Sequence, residues 1–516
     1  MSDVDQPRDL TLDRFPSGVP GLDVILGGGF LRKSTYIIMG APGAGKTILG
    51  NQICFHHVAS GGRALYVTLL AESHARMIAH LRSMRFFDPK PIAEALKYMS
   101  GYRVLEEHGL GGLLDLMRKL IREHQATLLV VDGLVSAHAF ANDDLAFKKF
   151  IHGLNTLVPF LDCTTFLLTN GPTNTISPEH TMVDGLVELS DPLIGLRAVR
   201  ELSVRKFRGS NHLRGKHAFE ISSEGVTVFP RLESLVTASP SVPQERAKLL
   251  PFGVPGLDEM LEGGVPAGTT TMLLGPSGSG KTILGLSFLA AGARAGESGL
   301  YFGFFESPPR VIAKGDNLGL DLGAHVRSGI LAMEWQPPAE LILDEAAHRL
   351  LALVRGRRVR RLVIDGLSAF HSMALYPRRL ARFVAALANE LRGLDVTTIF
   401  SQETQVLFGP GISAPVAGLS AIAENILFLR QVEHRSRLKR VLSIVKTREH
   451  DHQADIREFT ISSRGLEIGA PLGENVEAIL TGIVRSRAVV RAPPERSSLG
   501  AEDEGEKPRP RARKPR

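Results

Sequence analysis

The chain has 516 residues and a net charge of +7, and 43% of its residues are hydrophobic and 6% aromatic. This length exceeds what one hydrophobic core usually supports, and the composition excludes a fibrous or wholly disordered protein. No charge-free apolar run approaches the roughly 18–20 residues that cross a bilayer. The polar N-terminus is also unlike a secretory signal, so we expect no membrane association.

The positive charge is concentrated at the C-terminus. Residues 485–516 contain ten Lys or Arg and five Asp or Glu, which leaves only about +2 for the rest of the chain. A body so close to neutral argues against nucleic-acid binding. The two cysteines, Cys54 and Cys163, stand in separate apolar contexts, and we expect them to be the buried free thiols of a cytoplasmic protein.

One unit occurs twice in the sequence. Five segments of the first half are matched in the same order in the second half: 16–30 by 251–265, 36–52 by 271–287, 64–79 by 299–313, 127–134 by 361–367 and 216–229 by 456–469. Such a repeat predicts two domains of the same kind. The predicted divisions are an N-terminal extension (1–13), a first domain (14–232), a linker (233–247), a second domain (248–485) and a disordered, basic, Pro-rich tail (486–516).

Short β-branched runs alternate with amphipathic stretches of helical length in each unit. The first unit contains TYIIMG (35–40), ALYVTLL (64–70), TLLVVDG (127–133) and TTFLLTN (164–170), and the second has matching runs at 271–275, 299–305, 361–366 and 397–402. Buried parallel strands have this composition, and the leucine spacing in 111–124 predicts a helix between two of them. The predicted fold class is α/β, with a mostly parallel sheet flanked by helices in each domain.

The motif GxxxxGK[ST] follows the first of these strands and precedes a helix in both units. It is a phosphate-binding loop, in which glycines let backbone N–H groups face phosphate oxygens, the lysine reaches the β- and γ-phosphates and the threonine ligates Mg²⁺. The residues predicted to bind ATP are Gly40, Gly43, Ala44, Gly45, Lys46, Thr47 and Ile48, and Gly275, Gly278, Ser279, Gly280, Lys281, Thr282 and Ile283. Both loops are predicted to bind ATP together with Mg²⁺.

Polar residues end two other strands of each unit. Asp132 and Asp365 follow a hydrophobic run, at the distance after the loop where a carboxylate holds the Mg²⁺ coordination shell together with Thr47 or Thr282. Asn170 and Gln402 stand at the tip of the fourth strand. They are either γ-phosphate sensors or simple strand ends.

A third shared signature lies late in each unit. It is KFRGSNHLRGKHAFEIS at 206–222 and KTREHDHQADIREFTIS at 446–462, and each unit also opens with GVPGLD. Over about residues 14–485 this pattern resembles the KaiC family. The resemblance implies two tandem RecA-like P-loop domains and a homohexameric double ring with ATP between neighbouring subunits. It further implies ATP hydrolysis, serine/threonine autokinase activity and KaiB-like or other signalling partners.

The resemblance also gives the late signature a role. It implies that a cationic set from each unit reaches the nucleotide held by the adjacent subunit, where it would stabilise charge on the γ-phosphoryl group. These residues are Lys206, Arg208 and His212 in the first unit and Lys446, Arg448 and His452 in the second. The alternative interpretation is a solvated strand edge.

The glutamates after the second strand depart from the family pattern. The family has a pair, whereas this chain has Ala71-Glu72 and Phe305-Glu306. Either hydrolysis is slow, or Glu72 and Glu306 have taken over as general bases toward water. A position beside a helix N-cap is the alternative for both glutamates.

Two more departures concern the second unit. The family's adjacent Ser-Thr phosphosites correspond here to Ser420-Ala421, so at most Ser420 remains for autophosphorylation. Glu449 replaces a glycine beside Arg448 and introduces an anion there.

Three functions remain open from the sequence. They are a KaiC-like signalling ATPase, a RecA-like DNA-processing motor, and a binding scaffold whose ring is only cemented by ATP. The near-neutral body disfavours the motor, and the basic cluster at 355–361 leads directly into a strand, which favours a solvated loop. The lost glutamates favour the scaffold.

Overall fold

The computed structural model describes residues 12–70, 74–170, 179–235, 248–338, 340–404, 422–434, 437–448, 450–463, 465–471, 476–478 and 484–486. All structural statements below refer to these residues.

The first half of the chain alternates strands with helices. Its strands are β1 (Arg14–Phe15), β2 (Phe30–Leu31), β3 (Thr35–Gly40), β4 (Ala64–Thr68), β5 (Leu96–Ser100), β6 (Leu128–Asp132), β7 (Thr164–Thr169), β8 (Gly185–Ser190), β9 (Leu193–Ile194), β10 (Arg197–Ala198), β11 (Glu201–Phe207), β12 (Lys216–Ser222) and β13 (Gly225–Phe229). Its helices are α1 (Leu22–Leu26), α2 (Lys46–Ala59), α3 (His74–Leu81), α4 (Tyr102–His124), α5 (Leu134–Ala139), α6 (Asp144–Phe160), α7 (Glu179–Met182) and α8 (Leu232–Leu235).

The second half repeats this succession. Its strands are β14 (Leu249–Leu250), β15 (Val265–Pro266), β16 (Thr270–Gly275), β17 (Gly299–Gly303), β18 (Leu331–Trp335), β19 (Arg361–Asp365), β20 (Thr397–Glu403), β21 (Asn425–His434), β22 (Arg437–Lys446), β23 (Arg457–Ser462), β24 (Gly465–Pro471), β25 (Val476–Ala478) and β26 (Val484–Ser486). Its helices are α9 (Pro255–Met260), α10 (Lys281–Arg294), α11 (Pro308–Asp316), α12 (Leu322–Arg327), α13 (Leu343–Arg357), α14 (Ser368–Met373) and α15 (Leu380–Gly393), with a 3₁₀ turn at Pro377–Arg379.

Each half builds a nine-stranded sheet of the same design. The strand order is β13-β12-β11-β8-β3-β7-β6-β4-β5 in the first and β18-β17-β19-β20-β16-β21-β22-β23-β24 in the second. The six strands from β8 to β5 run parallel, and β11, β12 and β13 add an antiparallel edge; the second sheet is arranged in the same way. The predicted fold class, two tandem α/β domains with mostly parallel sheets, is confirmed.

The central strands are apolar on both faces because helices cover both sides of each sheet. All six residues of β3 are buried. Ile38 belongs to the hydrophobic cluster on one face, which contains α2, and Ile37 belongs to the cluster on the other, which contains α4 and α6. This double burial explains why the strands form continuous apolar runs rather than alternating ones.

The strand order brings the predicted functional segments to one end of each sheet. β3 lies between β7 and β8, and β6 follows on the far side of β7. The loop after β3 and the residues that end β6 and β7 therefore meet at the carboxyl ends of parallel strands, where ligands bind in open α/β sheets.

Direct contacts join the two halves. Arg197 Nη2 donates to Leu341 O at 3.1 Å, and the backbone N–H of Leu232 donates to Asp344 Oδ1 at 3.2 Å. Residues 233–235, expected to begin the linker, complete helix α8, and the side chain of Leu232 belongs to the hydrophobic core of the second half.

Candidate nucleotide-binding sites

The two phosphate loops have the same local geometry. Each connects the end of a central strand, Gly40 or Gly275, to a helix that begins at the motif lysine. The residues before those helices, Gly45 and Gly280, have φ values of 98° and 103°, a left-handed conformation that favours glycine. A 14-residue helix begins directly after each loop, and the unpaired N–H groups of its first turn create positive potential for phosphate there.

Both loop lysines are folded back over their own loops. Lys46 Nζ donates to the carbonyls of Gly40 and Ala41 at 2.8 and 2.9 Å, and Lys281 Nζ donates to those of Gly275 and Pro276 at 2.7 Å each. Burial lowers the pKa of each ammonium, and nearby carboxylates oppose that shift. A partly desolvated cation above the loop is the charge that a triphosphate requires there.

The remaining loop residues support this conformation. Ala44 is fully buried, and Ile48 and Ile283 pack against the hydrophobic cores beneath the loops. Gly43 and Gly278 have positive φ angles of 83° and 72°. Such φ angles are ones that side chains rarely adopt, so these two positions favour glycine.

A carboxylate stands beside each loop threonine, and that of Asp132 is buried. Thr47 Oγ1 donates to Asp132 Oδ2 at 2.9 Å, and Thr282 Oγ1 donates to Asp365 Oδ2 at 2.8 Å. The partners are 85 and 83 residues apart in the chain, and the strand order brings them together. Carboxylate and hydroxyl oxygens are the donors that Mg²⁺ prefers, so these residues fit that ion; when bound, it neutralises phosphate charge.

A tyrosine that the sequence motifs did not identify stands at each of these carboxylates. Tyr66 OH donates to Asp132 Oδ2 at 2.7 Å, and Tyr301 OH donates to Asp365 Oδ2 at 2.8 Å. Burial and the adjacent carboxylate raise the pKa of both phenols, so they remain hydrogen-bond donors. The signal was present in the repeat, because both tyrosines occupy the same place in the matched runs ALYVTLL and GLYFGFF.

The two sites differ in how many donors the carboxylate has. In the second, Ser401 Oγ also donates to Asp365 Oδ1, and the backbone N–H of Gly366 donates to Ser401 Oγ at 2.9 Å. The first site has Leu168 at the place of Ser401, because both residues pair with the end of the aspartate strand. Asp365 is therefore held more firmly than Asp132.

The glutamates after the second strand do not occupy equivalent places. Leu70 and Phe305 are equivalent, because each would contact a Cβ atom added to the glycine after the aspartate, Gly133 or Gly366. Glu306 directly follows Phe305, whereas one residue separates Leu70 from Glu72. Glu72 lies outside the described residues.

Glu306 is engaged by a lysine of the following helix. Lys314 Nζ lies 2.7 Å from each of its two carboxylate oxygens. The charge of Glu306 also contributes to the raised pKa of Tyr301, after burial and Asp365. Glu306 is therefore near Tyr301 in the second site, but it is paired with a cation.

Asn170 and Gln402 do not correspond to each other either. Met39 pairs with Thr169 in the first sheet, and the equivalent Leu274 pairs with Gln402 in the second. The residue that follows Gln402 and corresponds to Asn170 is Glu403, whose charge partly offsets the lowered pKa of Lys281.

The late-signature lysines stand away from their own loops. Lys206 on β11 pairs with Leu186 of β8, which pairs with Ile37, three residues before the loop glycine Gly40. Three residues of strand correspond to about 10 Å. Lys206 Nζ donates instead to the carbonyls of His180 and Thr181 at 3.1 and 2.8 Å, at the amino end of β8.

The second unit repeats this placement. Lys446 pairs with Ile426, which pairs with Met272, again three residues before the loop glycine, and Lys446 Nζ donates to Ala423 O at 2.7 Å. In both units a strand irregularity falls immediately before the lysine, at Arg205 and at Val445. An extra, unpaired residue in one strand changes the direction in which the following side chain points.

The other signature residues lie close to these lysines. Arg208 Nη2 donates to Thr181 O at 3.1 Å, and its guanidinium lowers the pKa of Lys206 in addition to the larger effect of burial. The guanidinium of Arg448 likewise lowers the pKa of Lys446, in addition to the larger effect of burial. The ring of His212 packs edge-on against Phe207, and His452 Nδ1 shares a hydrogen bond of 2.7 Å with Thr447 Oγ1.

Three predicted features fall outside the described residues: Ser420, Ala421 and Glu449. Cys54 and Cys163 are both buried and free, as expected. Within the described parts of the chain, every helix is too short or too polar to span a bilayer.

The two sheets with their paired phosphate loops define a tandem P-loop ATPase of the RecA-like fold. A family described as "ATPase: KaiC" matches residues 15–233 and 250–473. The chain belongs to the KaiC family of ATPases, and this membership implies ATP binding and hydrolysis.

Similar proteins match the chain over both units. They include the circadian clock oscillator protein KaiC of Picosynechococcus sp., which is 26% identical with 90% of this chain and 91% of that protein covered. The circadian clock protein KaiC3 of Synechocystis sp. is 24% identical, with 93% and 96% covered. The circadian clock oscillator protein KaiC 1 of Synechocystis sp. is 26% identical, with 90% of each chain covered.

Proposed function

We propose that this chain is a KaiC-like signalling ATPase that forms a homohexameric double ring and hydrolyses MgATP slowly. The observation that supports assembly most directly is the position of Lys206 and Lys446. Each lies at the level of a strand residue three positions before its own loop glycine, and each bonds to backbone at that end of the sheet. A cation so placed acts on a γ-phosphate only if that phosphate belongs to another copy.

The proposal assigns a role to each group of residues. Lys46 and Lys281 bind the phosphates, and the threonine–aspartate pairs of both sites hold Mg²⁺. Lys206, Arg208 and His212, with Lys446, Arg448 and His452, contact the neighbouring subunit's nucleotide. The cationic members of each set stabilise charge on the γ-phosphoryl group. Glu72 and Glu306 accept a proton from water.

Mixed assemblies test the composite site of the first ring. Lys46→Ala chains lack a competent loop, and Arg208→Ala chains lack the cation in trans; both carry Lys281→Ala, so that only the first ring is measured. If the site is shared, each variant alone is inactive. A mixture regains phosphate release, because some interfaces then combine an intact loop with an intact arginine.

The control for this experiment is Arg205→Ala. Arg205 lies next to Lys206 but pairs with Glu188 of its own sheet at 2.9 Å, so its loss should leave the rate unchanged. Failure of the mixture to recover, together with a normal rate in Arg208→Ala alone, would refute the shared site. Light scattering with and without ATP reports the ring size on the same samples.

The proposal includes autokinase activity on Ser420, which the family resemblance implies. Incubation with γ-labelled ATP should label the wild-type chain and leave Ser420→Ala unlabelled. Label that persists in Ser420→Ala would place any autokinase activity elsewhere.

The second candidate function is a binding scaffold, in which bound ATP stabilises the ring and is hydrolysed little. The ion pair between Lys314 and Glu306 favours it for the second ring, because the carboxylate is already bound by a cation. Rings that require ATP but release no phosphate would support the scaffold. Stimulation of the ATPase by DNA would instead favour a motor. The proposed partners are KaiB-like or other signalling proteins, and the buried thiols Cys54 and Cys163 fit a cytoplasmic location.

A further inference from the structure

A cavity of about 530 Å³ lies between the two domains. Strands β11 and β12 of the first domain contribute Glu201, Lys216 and Ala218, and the second domain contributes residues from α13 and from the segment joining α14 to α15. The cavity includes no residue of either phosphate loop. Its size falls in the range of about 300–1,000 Å³ that is typical of small-molecule sites.

The three carboxylates that line this cavity already have partners. Lys216 Nζ lies 2.6 Å from Glu201 Oε2, and Tyr376 OH donates to Glu201 Oε1 at 2.8 Å. Arg379 binds the other two, with Nη2 2.8 Å from Glu233 Oε2 and Nη1 2.7 Å from Asp344 Oδ2. These carboxylates are therefore poorly available to a cationic ligand.

Two more arginines line the same cavity without such partners. Arg378 and Arg382 are exposed, and neither forms an ion pair or a side-chain hydrogen bond with any residue that the structure describes. Arg378 lies in the 3₁₀ turn that precedes α15, Arg382 lies in the first turn of α15, and both line the cavity. With Lys216, Arg231 and Arg379 they bring the lining to five cations against three carboxylates, an excess of two positive charges among the residues that the structure describes.

One wall of the cavity is apolar rather than charged. Val199, Ala218, Leu343, Met373 and Leu375 form an apolar surface there. A ligand that satisfies both parts has an apolar or planar body and a head with two negative charges. A phosphomonoester carries nearly that charge at neutral pH, and the planar fork of arginine matches its oxygens.

We propose that this cavity is a binding site for a small organic phosphate, held by Arg378 and Arg382 and separate from both ATP sites. The site goes beyond the proposed ATPase function and does not depend on it. Because its lining comes from both domains, an occupied cavity bridges them. The ligand would therefore stabilise one relative position of the two domains.

Titration calorimetry with phenyl phosphate tests the site on the full-length chain. The phosphate loops are first saturated with a nonhydrolysable ATP analogue and Mg²⁺, so that they cannot take up the probe. We expect one phenyl phosphate per chain, weaker binding of inorganic phosphate, and no binding of phenol. Failure to bind phenyl phosphate at up to about 10 mM would overturn the proposal.

Charge variants decide where the probe binds. Arg378→Gln with Arg382→Gln should weaken binding about tenfold or more, because two charge-assisted contacts are lost. Arg378→Lys with Arg382→Lys should give an intermediate value, since the charge remains and the fork is lost. Equal affinity in the glutamine variant and the wild type would overturn the site.

The matched control is Arg357→Gln with Arg358→Gln. These residues are exposed, do not line the cavity, and change the net charge by the same amount. The affinity of this double variant for phenyl phosphate should equal that of the wild type. A loss equal to that of the cavity variant would show that only overall charge matters, and would overturn the proposal. Inorganic phosphate binding as tightly as phenyl phosphate would overturn the role of the apolar wall.

Discussion

Lys314 Nζ lies 2.7 Å from both carboxylate oxygens of Glu306, the glutamate of the segment FFES (304–307) that directly follows β17. The two side chains are 38% and 37% exposed, so water reaches both. The ammonium therefore contacts both carboxylate oxygens at the same distance, and neither oxygen is left unpaired. A carboxylate whose two oxygens both contact an ammonium is less available to a water molecule than an unpaired one.

We therefore expect Lys314→Gln to accelerate ATP hydrolysis in the second ring. The gain should be at most about fivefold, because an exposed ion pair contributes about 0.2–1 kcal/mol. Phosphate release is measured in the Lys46→Ala background, where the first loop is disabled. Lys314→Arg keeps the pair and should keep the basal rate. A slower Lys314→Gln enzyme would show that the lysine assists Glu306 instead of restraining it.

Removal of the tyrosine hydroxyls should affect the two domains unequally. Tyr66→Phe takes one of two side-chain donors from Asp132, whereas Tyr301→Phe takes one of three from Asp365. We expect Tyr66→Phe to lower the free energy of unfolding by about 1 kcal/mol and Tyr301→Phe by less. Thermal and urea unfolding measure the difference.

The control for the tyrosine pair is Tyr102→Phe, whose hydroxyl makes no hydrogen bond within the described residues. It should change stability little. Equal losses in Tyr66→Phe and Tyr301→Phe would argue that Ser401 gives Asp365 no added support.

Arg379 should be the most costly single side chain at the contact between the domains. Its side chain is 18% exposed, and it binds Glu233 and Asp344, of which Asp344 is 2% exposed. Burial lowers the pKa of Arg379, but the hydrogen bonds and charges of its two partners outweigh that effect and raise the pKa above its usual range. Arg379→Met would leave Asp344 buried without its cation, and would leave Glu233 with only the more distant Arg231, whose Nη1 lies 3.9 Å from Glu233 Oε1.

We expect Arg379→Met to cost about 3–5 kcal/mol and to separate the unfolding of the two domains into two thermal transitions. Differential scanning calorimetry detects this directly. Arg355→Met breaks an exposed pair with Glu390 in the same domain and should shift the transition only slightly. A single, unshifted transition in Arg379→Met would contradict a role in joining the domains.

A buried histidine beside the domain contact makes stability depend on pH. His217 Nδ1 accepts from the backbone N–H of Arg231 at 3.0 Å, and Nε2 lies 3.3 Å from Leu213 O, which assigns the neutral form with its proton on Nε2. Burial lowers the pKa of His217 from 6.5 to about 4. Between these values the unfolded chain binds a proton that the folded chain does not, so stability is complete above pH 6.5 and falls as the pH drops toward 4.

The contribution of His217 to this loss is about 3 kcal/mol. His217→Asn can keep an acceptor for Arg231 and removes the titration, so the fall in stability between pH 7 and 4 should be smaller by about that amount. His152→Asn, at an exposed position of α6, is the control. Parallel stability curves for the wild type and His217→Asn would contradict the assignment.

Several features could be predicted from the sequence because they depend on residues that are adjacent in the chain. The phosphate loops are determined by neighbours in the chain: a buried strand, glycines that accept positive φ at Gly45 and Gly280, and a helix that starts at the next residue. The buried strands are equally local, since β3 and β16 are apolar on both faces. Because the unit occurs twice, the same loop and strands were predicted in both halves of the chain, and the repeat indicated two tandem domains.

Long-range packing decided the rest. Tyr66 reaches Asp132 across 66 residues, and the register of β11 on β8 places Lys206 three strand residues before its own loop glycine. The cavity exists only where the two domains meet. Hydrogen bonds within a turn or helix depend on a few adjacent residues, and a sequence displays them. Contacts between distant strands depend on sheet order, register and domain docking, which no local pattern records. The sequence by itself therefore determined the two ATPase units, and only the tertiary structure decided which side chains surround each site and what lies between the domains.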